Sequence, residues 1–422
     1  MPGPATIQRR QLDNGLTILV YENPASASVV LEGLVRSGAM AEPAAKAGMA
    51  DFTADLLMRG TAARTFDGIF EALESVGAGL SFGGGRHVTQ FAGQSLFEDL
   101  DLLLDLLAEA LCRPVFPPDH VEHVRGQAIT GLHMRANDTR RMARLAFNEL
   151  LYGDHPYSRS LSGYLDTMQS ISRDDLIDFH ASTYGPRGMI LTVVGAVSAD
   201  EVFRKVDGVL GAWKADGQRP MPEASDVARP EGLVRRNVPM PEKVQCDIVL
   251  GLPGPRRSVE DYLDASMTNT ILGVFGMMGR IGQNVRETRG LAYYASSRLE
   301  GGMGPGAWSA SAGVAPHSVE LTIEAIRDEV RRIQDEPVPV AELGDTQAYR
   351  IGSMPVGLET NSGLADVITD MEYYELGLDY LLEYPARVRD MTPERIQAAA
   401  RKYLSADQLA IAVAGPVEKG DS

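Results

Sequence analysis

A stretch near the middle of this chain recurs near its end, and that repetition constrains the fold more than any other feature. Residues 171–195, ISRDDLIDFHASTYGPRGMILTVVG, align without a gap on residues 391–415, MTPERIQAAARKYLSADQLAIAVAG, at an offset of 220 residues. Each copy reads as a capped helix, a short polar break and an apolar strand closing on Gly195 or Gly415. Ser172 and Thr392 are the expected N-caps. A chain of 422 residues is long for one core, and the offset makes each half about one domain in size.

The join between the halves is legible in composition. Residues 214–242 carry Pro220, Pro222, Pro230, Pro239 and Pro241 among polar residues, so this segment is expected to be an extended linker. The predicted domains are therefore 1–213 and 243–422. LDNGLTILVYE opens the first as a strand pair, with Asn14-Gly15 as a tight turn, and SVVLEGLVRSG follows as a third strand. VQCDIVLGLPG re-enters the second. Between the strands lie long helices. In Leu96–Leu111, Leu100, Leu103, Leu104 and Leu107 fall on one side and Asp99, Asp101 and Asp105 opposite, a core-packing pattern. The expected class is α+β: two homologous domains, each a mostly antiparallel sheet with one helical layer.

Charge and cysteine content narrow the function. With 57 acidic against 40 basic residues the formal charge is −17, which argues against nucleic acid as a partner. Cys112 and Cys246 are the only cysteines, too few for a disulfide framework or zinc knuckle. The N-terminus has no apolar signal core and no apolar run is long enough to span a membrane, so the expected location is cytoplasmic, or periplasmic if a leader has been removed.

Two segments suggest chemistry. In GMADFTADLLMRGT, Met49, Phe52, Leu56 and Leu57 follow a helical period, while Asp51 and Asp55 lie one turn apart. This has the frame of the inverted-zincin helix H-x-x-E-H, with Asp51, Ala54 and Asp55 at the three positions. Two carboxylates at that spacing could hold a hard cation or form an ordinary solvated acidic pair. Ala54 cannot activate water, so zinc hydrolysis by this helix alone is not expected. The second segment, NVRETRGLAY, reads as a helix end stopped by Gly290 and then a strand, with Arg286 and Tyr293 seven residues apart. Such a pair could donate to one carbonyl oxygen, or be a surface Arg and a packed Tyr; spacing alone leaves both open.

These motifs in this order resemble the insulinase/pitrilysin family of zinc metallopeptidases, specifically its half-size members related to mitochondrial processing peptidase. The resemblance runs over nearly the whole chain, from LDNGLTILVYE through GMADFTADLLMRGT and LLYGDHPYSRSLSGYLDTMQSIS to VRETRGLAYYA and ETNSGLADVITDMEYYELGLDYL. It implies two such domains in a half clam-shell. The family's His, Glu and His fall on Asp51, Ala54 and Asp55, and its third ligand, a Glu, falls near Leu132 in a gapless register; Glu122, the nearest acidic residue upstream, would need a shift in register. The family's substrate-binding Arg and Tyr match Arg286 and Tyr293. The resemblance thus implies a zinc-less, Arg/Tyr-bearing subunit, with no metal or cofactor in this chain and zinc in a homologous partner chain. Peptide would be the substrate, and a homodimer is possible when the chain is alone. The rival expectations are a structural or peptide-holding homologue, and a self-contained hydrolase using Asp51 and Asp55. His155-Pro156-Tyr157 reads as a structural loop. Gly83–Phe91 is expected to line a peptide cleft as a sheet edge, and Gly273–Gly282 to be a shortened glycine-rich loop or a helix break.

Overall fold

The computed structural model describes residues 1–417. Eleven strands are arranged in two sheets: β1 (Ile7–Gln11), β2 (Thr17–Glu22), β3 (Ser28–Val35), β4 (Gly79–Gly84), β5 (Thr89–Leu96), β6 (Ile190–Gly195), β7 (Leu233–Pro239), β8 (Cys246–Pro253), β9 (Ala292–Leu299), β10 (Ala307–Val314) and β11 (Leu409–Gly415). The first sheet has the order β1-β2-β6-β3-β5-β4 and the second β7-β11-β8-β10-β9. Apart from β1, the two orders are the same. In each sheet one pairing is parallel, that of the last strand of the half with an early one (β6 with β2, β11 with β7), and every other pairing is antiparallel. The repeat read from 25 residues therefore extends to the whole topology, and the α+β class holds.

The repeated segment has the predicted local structure. Ser172 Oγ accepts the Asp175 N–H and caps the helix Arg173–Thr183; Thr392 Oγ1 accepts the Arg395 N–H and caps Pro393–Tyr403. The strands that follow end on Gly195 and Gly415, at φ +155° and +154°. At both, a Cβ would run into the neighbouring strand. The proline-rich segment is not extended linker throughout, because its last part, Leu233–Pro239, is strand β7. Proline is tolerated there since β7 is a sheet edge with one side free of ladder bonds.

Two compact units result, and neither is one continuous half. The first contains residues 1–132, 160–222 and 354–384; the second contains 133–159, 223–353 and, among the described residues, 385–417. Each unit thus takes a helix from the other half of the sequence. Within the first unit, Asn361–Tyr373 lies across β3 and β6; within the second, Thr139–Tyr152 lies across the equivalent β8 and β11. The sequence predicts one helical layer per sheet, and the first sheet has helices on both faces. One face packs Ile18, Val20, Val29 and Leu31 against helices of its own half. The other packs Leu19, Val30, Leu34 and Val194 against Leu364, Ile368 and Met371 of the exchanged helix. Each such side chain contributes about 1.5–3 kcal/mol on burial, which is why β2 and β6 are almost wholly apolar.

Candidate functional site

The helix Met49–Leu56 forms as its pattern predicts, burying Met49, Phe52, Thr53, Ala54 and Leu56. Gly48 precedes it at φ +98°, and the buried Glu42 carboxylate serves as its cap, accepting the N–H groups of Gly48 and Ala50 at 3.1 and 2.9 Å. The helix packs on edge strand β4. Asp51 is partly buried and Asp55 is exposed. The Asp51 carboxylate accepts the Gly84 N–H and a Ser162 hydrogen bond, yet burial, with the Asp55 charge second, pushes its pKa up to about 7. Asp55 reaches solvent, but the protein packed around its carboxylate strips part of its hydration and raises it too, opposed by the Arg59 charge. Both charges bear on the buried Tyr184, whose phenol is raised first by its burial and whose hydroxyl lies 2.9 Å from Thr89 Oγ1. Tyr184 lies in the repeated segment and Thr89 in the stretch Gly83–Phe91, but nothing in the sequence marks either as facing the aspartates.

Leu132 is 5% exposed and belongs to the same core as Phe52. Glu122 is exposed and paired with Arg125 at 3.1 Å. Arg125 lies seven residues before Leu132 on the helix Pro118–Ala136, and its guanidinium stands 5.4 Å from the Phe52 ring centroid. Zinc does not fit this set. It offers two carboxylates, no imidazole or thiolate, an apolar third position and a nearby guanidinium. Among the described residues no three His, Cys, Asp or Glu side chains are grouped to hold a metal.

Arg286 and Tyr293 lie on either side of a turn in the second unit. The expected helix end is a π turn, Gln283–Thr288, in which the Arg289 N–H donates to Asn284 O at 3.0 Å. Val285 is fully buried, and Asn284 Nδ2 donates to Glu329 Oε1 at 2.6 Å, so the turn is pinned by the two residues that precede Arg286. Gly290 reverses the chain at φ +62°. Arg286 is half-buried and paired with its neighbour Glu287 at 3.4 Å. Tyr293, on edge strand β9, is 84% exposed. Its exposure has a local cause. Tyr294 pairs with Gly313 and Ala292 with Val314, so Tyr293 is the extra residue of a β-bulge. No hydrogen bond joins Arg286 to Tyr293 among the described residues; the structure leaves both side chains accessible on one turn-and-strand segment.

The remaining sequence candidates resolve differently. His155 Nδ1 accepts the Tyr157 N–H at 3.1 Å and caps a short turn. Gly83 and Gly84 end β4, which is the edge of the first sheet; the strand that follows, β5, holds Thr89–Phe91 and is not the expected edge, because it is paired on both sides, with β3 and β4. Gly273–Gly282 is a helix break: residues 276–279 leave helical geometry, with Gly276, Met278 and Gly279 at positive φ, and Arg280 then pairs with Glu342 at 2.6 Å. No helix among the described residues is long and apolar enough to cross a membrane.

Comparison with known proteins shows the family and the fold. Residues 17–164 match the family described as insulinase (peptidase family M16), and residues 170–349 match the peptidase M16 inactive domain. The chain is 28% identical over 415 residues to an uncharacterized zinc protease of Mycobacterium leprae, covering 98% of this chain and 92% of that protein. It is 25% identical over 388 residues to the mitochondrial-processing peptidase subunit beta of Saccharomyces cerevisiae, covering 87% and 81% respectively. In fold it is similar to a peptidase M16 inactive domain structure from Pseudomonas fluorescens, with TM-score 0.90, 24% identity and coverage of 99% and 100%. A protease structure from Helicobacter pylori gives TM-score 0.91 at 19% identity, covering 98% of this chain and all of that one.

Proposed function

Because the chain belongs to the insulinase (M16) peptidase family, we propose that it is the non-catalytic, substrate-binding subunit of a heteromeric zinc peptidase. The observation that carries this reading is the contrast between two sites in one chain. The metal positions are Asp51, Ala54, Asp55 and Leu132, a set that does not suit zinc, while Arg286 and Tyr293 remain accessible. A homologous partner chain supplies the zinc ion and the water-activating base. This chain's part is to bind and orient. The Arg286 guanidinium and the Tyr293 hydroxyl donate hydrogen bonds to a carbonyl oxygen of the peptide backbone at the cleavage point. Neither group needs to gain or lose a proton for that task. The similarity to a mitochondrial-processing peptidase subunit supports a heteromeric setting.

The test is reconstitution with a homologous chain that carries intact H-x-x-E-H, assayed with a fluorogenic peptide as each chain alone and as the mixture. Activity is expected from the mixture and not from this chain. Arg286→Ala and Tyr293→Phe should each lower turnover of the mixture by about 10²-fold, the scale of losing one positioned donor, with the zinc content of the complex unchanged. Unaltered kinetics in both variants, or peptidase activity from this chain by itself, sinks the reading.

A further inference from the structure

The bulge that exposes Tyr293 is held from two sides, and the second hold comes from the exchanged helix. On the N-terminal side, the Leu291 N–H donates to Val285 O at 2.9 Å, so the π turn fixes where β9 begins. On the C-terminal side, Asp247, Gly313 and Tyr294 form one row across β8, β10 and β9. The Tyr294 hydroxyl donates to Asp247 Oδ1 at 2.5 Å, reaching past β10 to the next strand. Only glycine permits this. A Cβ at Gly313 would stand 2.5 Å from the Tyr294 ring. Between these two anchors the strand has one residue too many, and that residue is Tyr293.

Asp247 is 2% exposed and is itself held by the exchanged helix. Thr139 Oγ1, in the helix's first turn, donates to Asp247 Oδ2 at 2.5 Å; Gln245 Nε2 approaches the same oxygen at 3.4 Å. Next on the helix, Arg140 places its guanidinium 4.7 Å from the Tyr294 ring centroid. One turn on, Arg144 donates to Ser309 Oγ on β10 at 2.9 Å. Burial, and then the Asp247 carboxylate, raise the Tyr294 phenol above its ordinary value, so the hydroxyl stays a donor.

We propose that Tyr294 and Asp247, secured by Thr139, are positioning residues that keep β9 in its bulged register and so present Tyr293 to a peptide. The inference rests on the substrate role given to Tyr293 above. Without the Tyr294 anchor, β9 can slip by one residue into regular pairing. With Ala292 still held opposite Val314 by the π turn, Tyr293 then takes the place of Tyr294 opposite Gly313 and leaves its bulged, exposed position. Asp247 and Thr139 therefore act through register and never touch the substrate.

The experiment uses the intact chain with 3-fluorotyrosine at position 293 alone, read by fluorine NMR. The unaltered chain is expected to give one resonance. Tyr294→Phe, which removes a single oxygen, should add a second resonance or broaden the line about twofold as two registers exchange. Thr139→Val should do the same to a smaller degree, and Asp247→Asn, which keeps an acceptor for the phenol, should stay closest to the unaltered spectrum. A single resonance of unchanged shift and width in Tyr294→Phe overturns the proposal, whatever happens to melting temperature. Because this readout needs no peptidase activity, it is independent of the reconstitution assay. A split resonance supports positioning even if Tyr293→Phe leaves turnover intact, in which case only the substrate role falls.

Discussion

Gly84 lies so close to Asp51 that a Cβ on the glycine would stand 2.5 Å from the aspartate Cα. The helix Met49–Leu56 and the edge strand are therefore in backbone contact, with the Gly84 N–H held by the Asp51 carboxylate. Gly84→Ala should force the two apart and cost about 2 kcal/mol by chemical denaturation, as overpacking does elsewhere. The adjacent Gly83 has open space around it, so Gly83→Ala is the control and should shift the denaturation midpoint far less.

Asp51 also makes stability depend on pH. Its carboxyl is raised from 3.8 to about 7, chiefly by burial, and Glu32 is raised from 4.5 to about 7 by burial and then by Asp366. A raised acid favours the folded state in its protonated form. That contribution is complete below the unfolded-state values and is lost as pH rises through about 7. Asp51→Asn keeps the acceptor for Gly84 and removes the titration. The variant should gain on the parent between pH 4 and 8, reaching about 1–2 kcal/mol once the full shift is discounted for hydration of a partly exposed group. Urea melts across that range measure it; a difference independent of pH contradicts it.

The exchanged helix of the first unit has its own polar anchor. Asn361 Nδ2 donates to Ser28 O at 3.0 Å, and its Oδ1 accepts from Asn23 Nδ2 at 2.7 Å. Asn361→Ala leaves those groups unpaired at a site 8% exposed and should cost about 2 kcal/mol. Hydrogen exchange should then quicken along Asn361–Tyr373 before it does in the strands beneath.

The repeated caps should be equivalent in energy as well as in position. Ser172→Ala and Thr392→Ala each remove one acceptor for a helix N-terminus and should cost about 1 kcal/mol in thermal or chemical melts. Ser172 has further support, because Asp175 returns a bond to the Ser172 N–H at 2.7 Å and pairs with Lys46 at 2.8 Å. Thr392→Ala is thus the larger loss if the two differ.

The features legible in the sequence were those set by neighbours along the chain. The duplication was readable because caps and strand-ending glycines are local, and the α+β class follows from alternating strand and helix signals. The strand β7 was hidden by the prolines around it and by its own last residue, Pro239, whose cost vanishes at a sheet edge. The helix Thr139–Tyr152 reads as an ordinary amphipathic segment; nothing in its residues says which sheet it will cover. In the site, Arg286 and Tyr293 sit in one motif and could be named. Asp247 and Tyr294 are joined only by a register across β10, so no spacing along the chain reveals them.

The reciprocal trade of helices has an evolutionary consequence. Two fused copies that had each kept their own helix could be parted again at residues 214–242, and each piece would fold. Here, severing that segment leaves both sheets stripped of a cover that the other fragment carries. The fragments would be complements of one another, recoverable by mixing and unstable apart. Each repeat closes the other's sheet, so the two are obligate to each other and the chain folds as a pair or not at all.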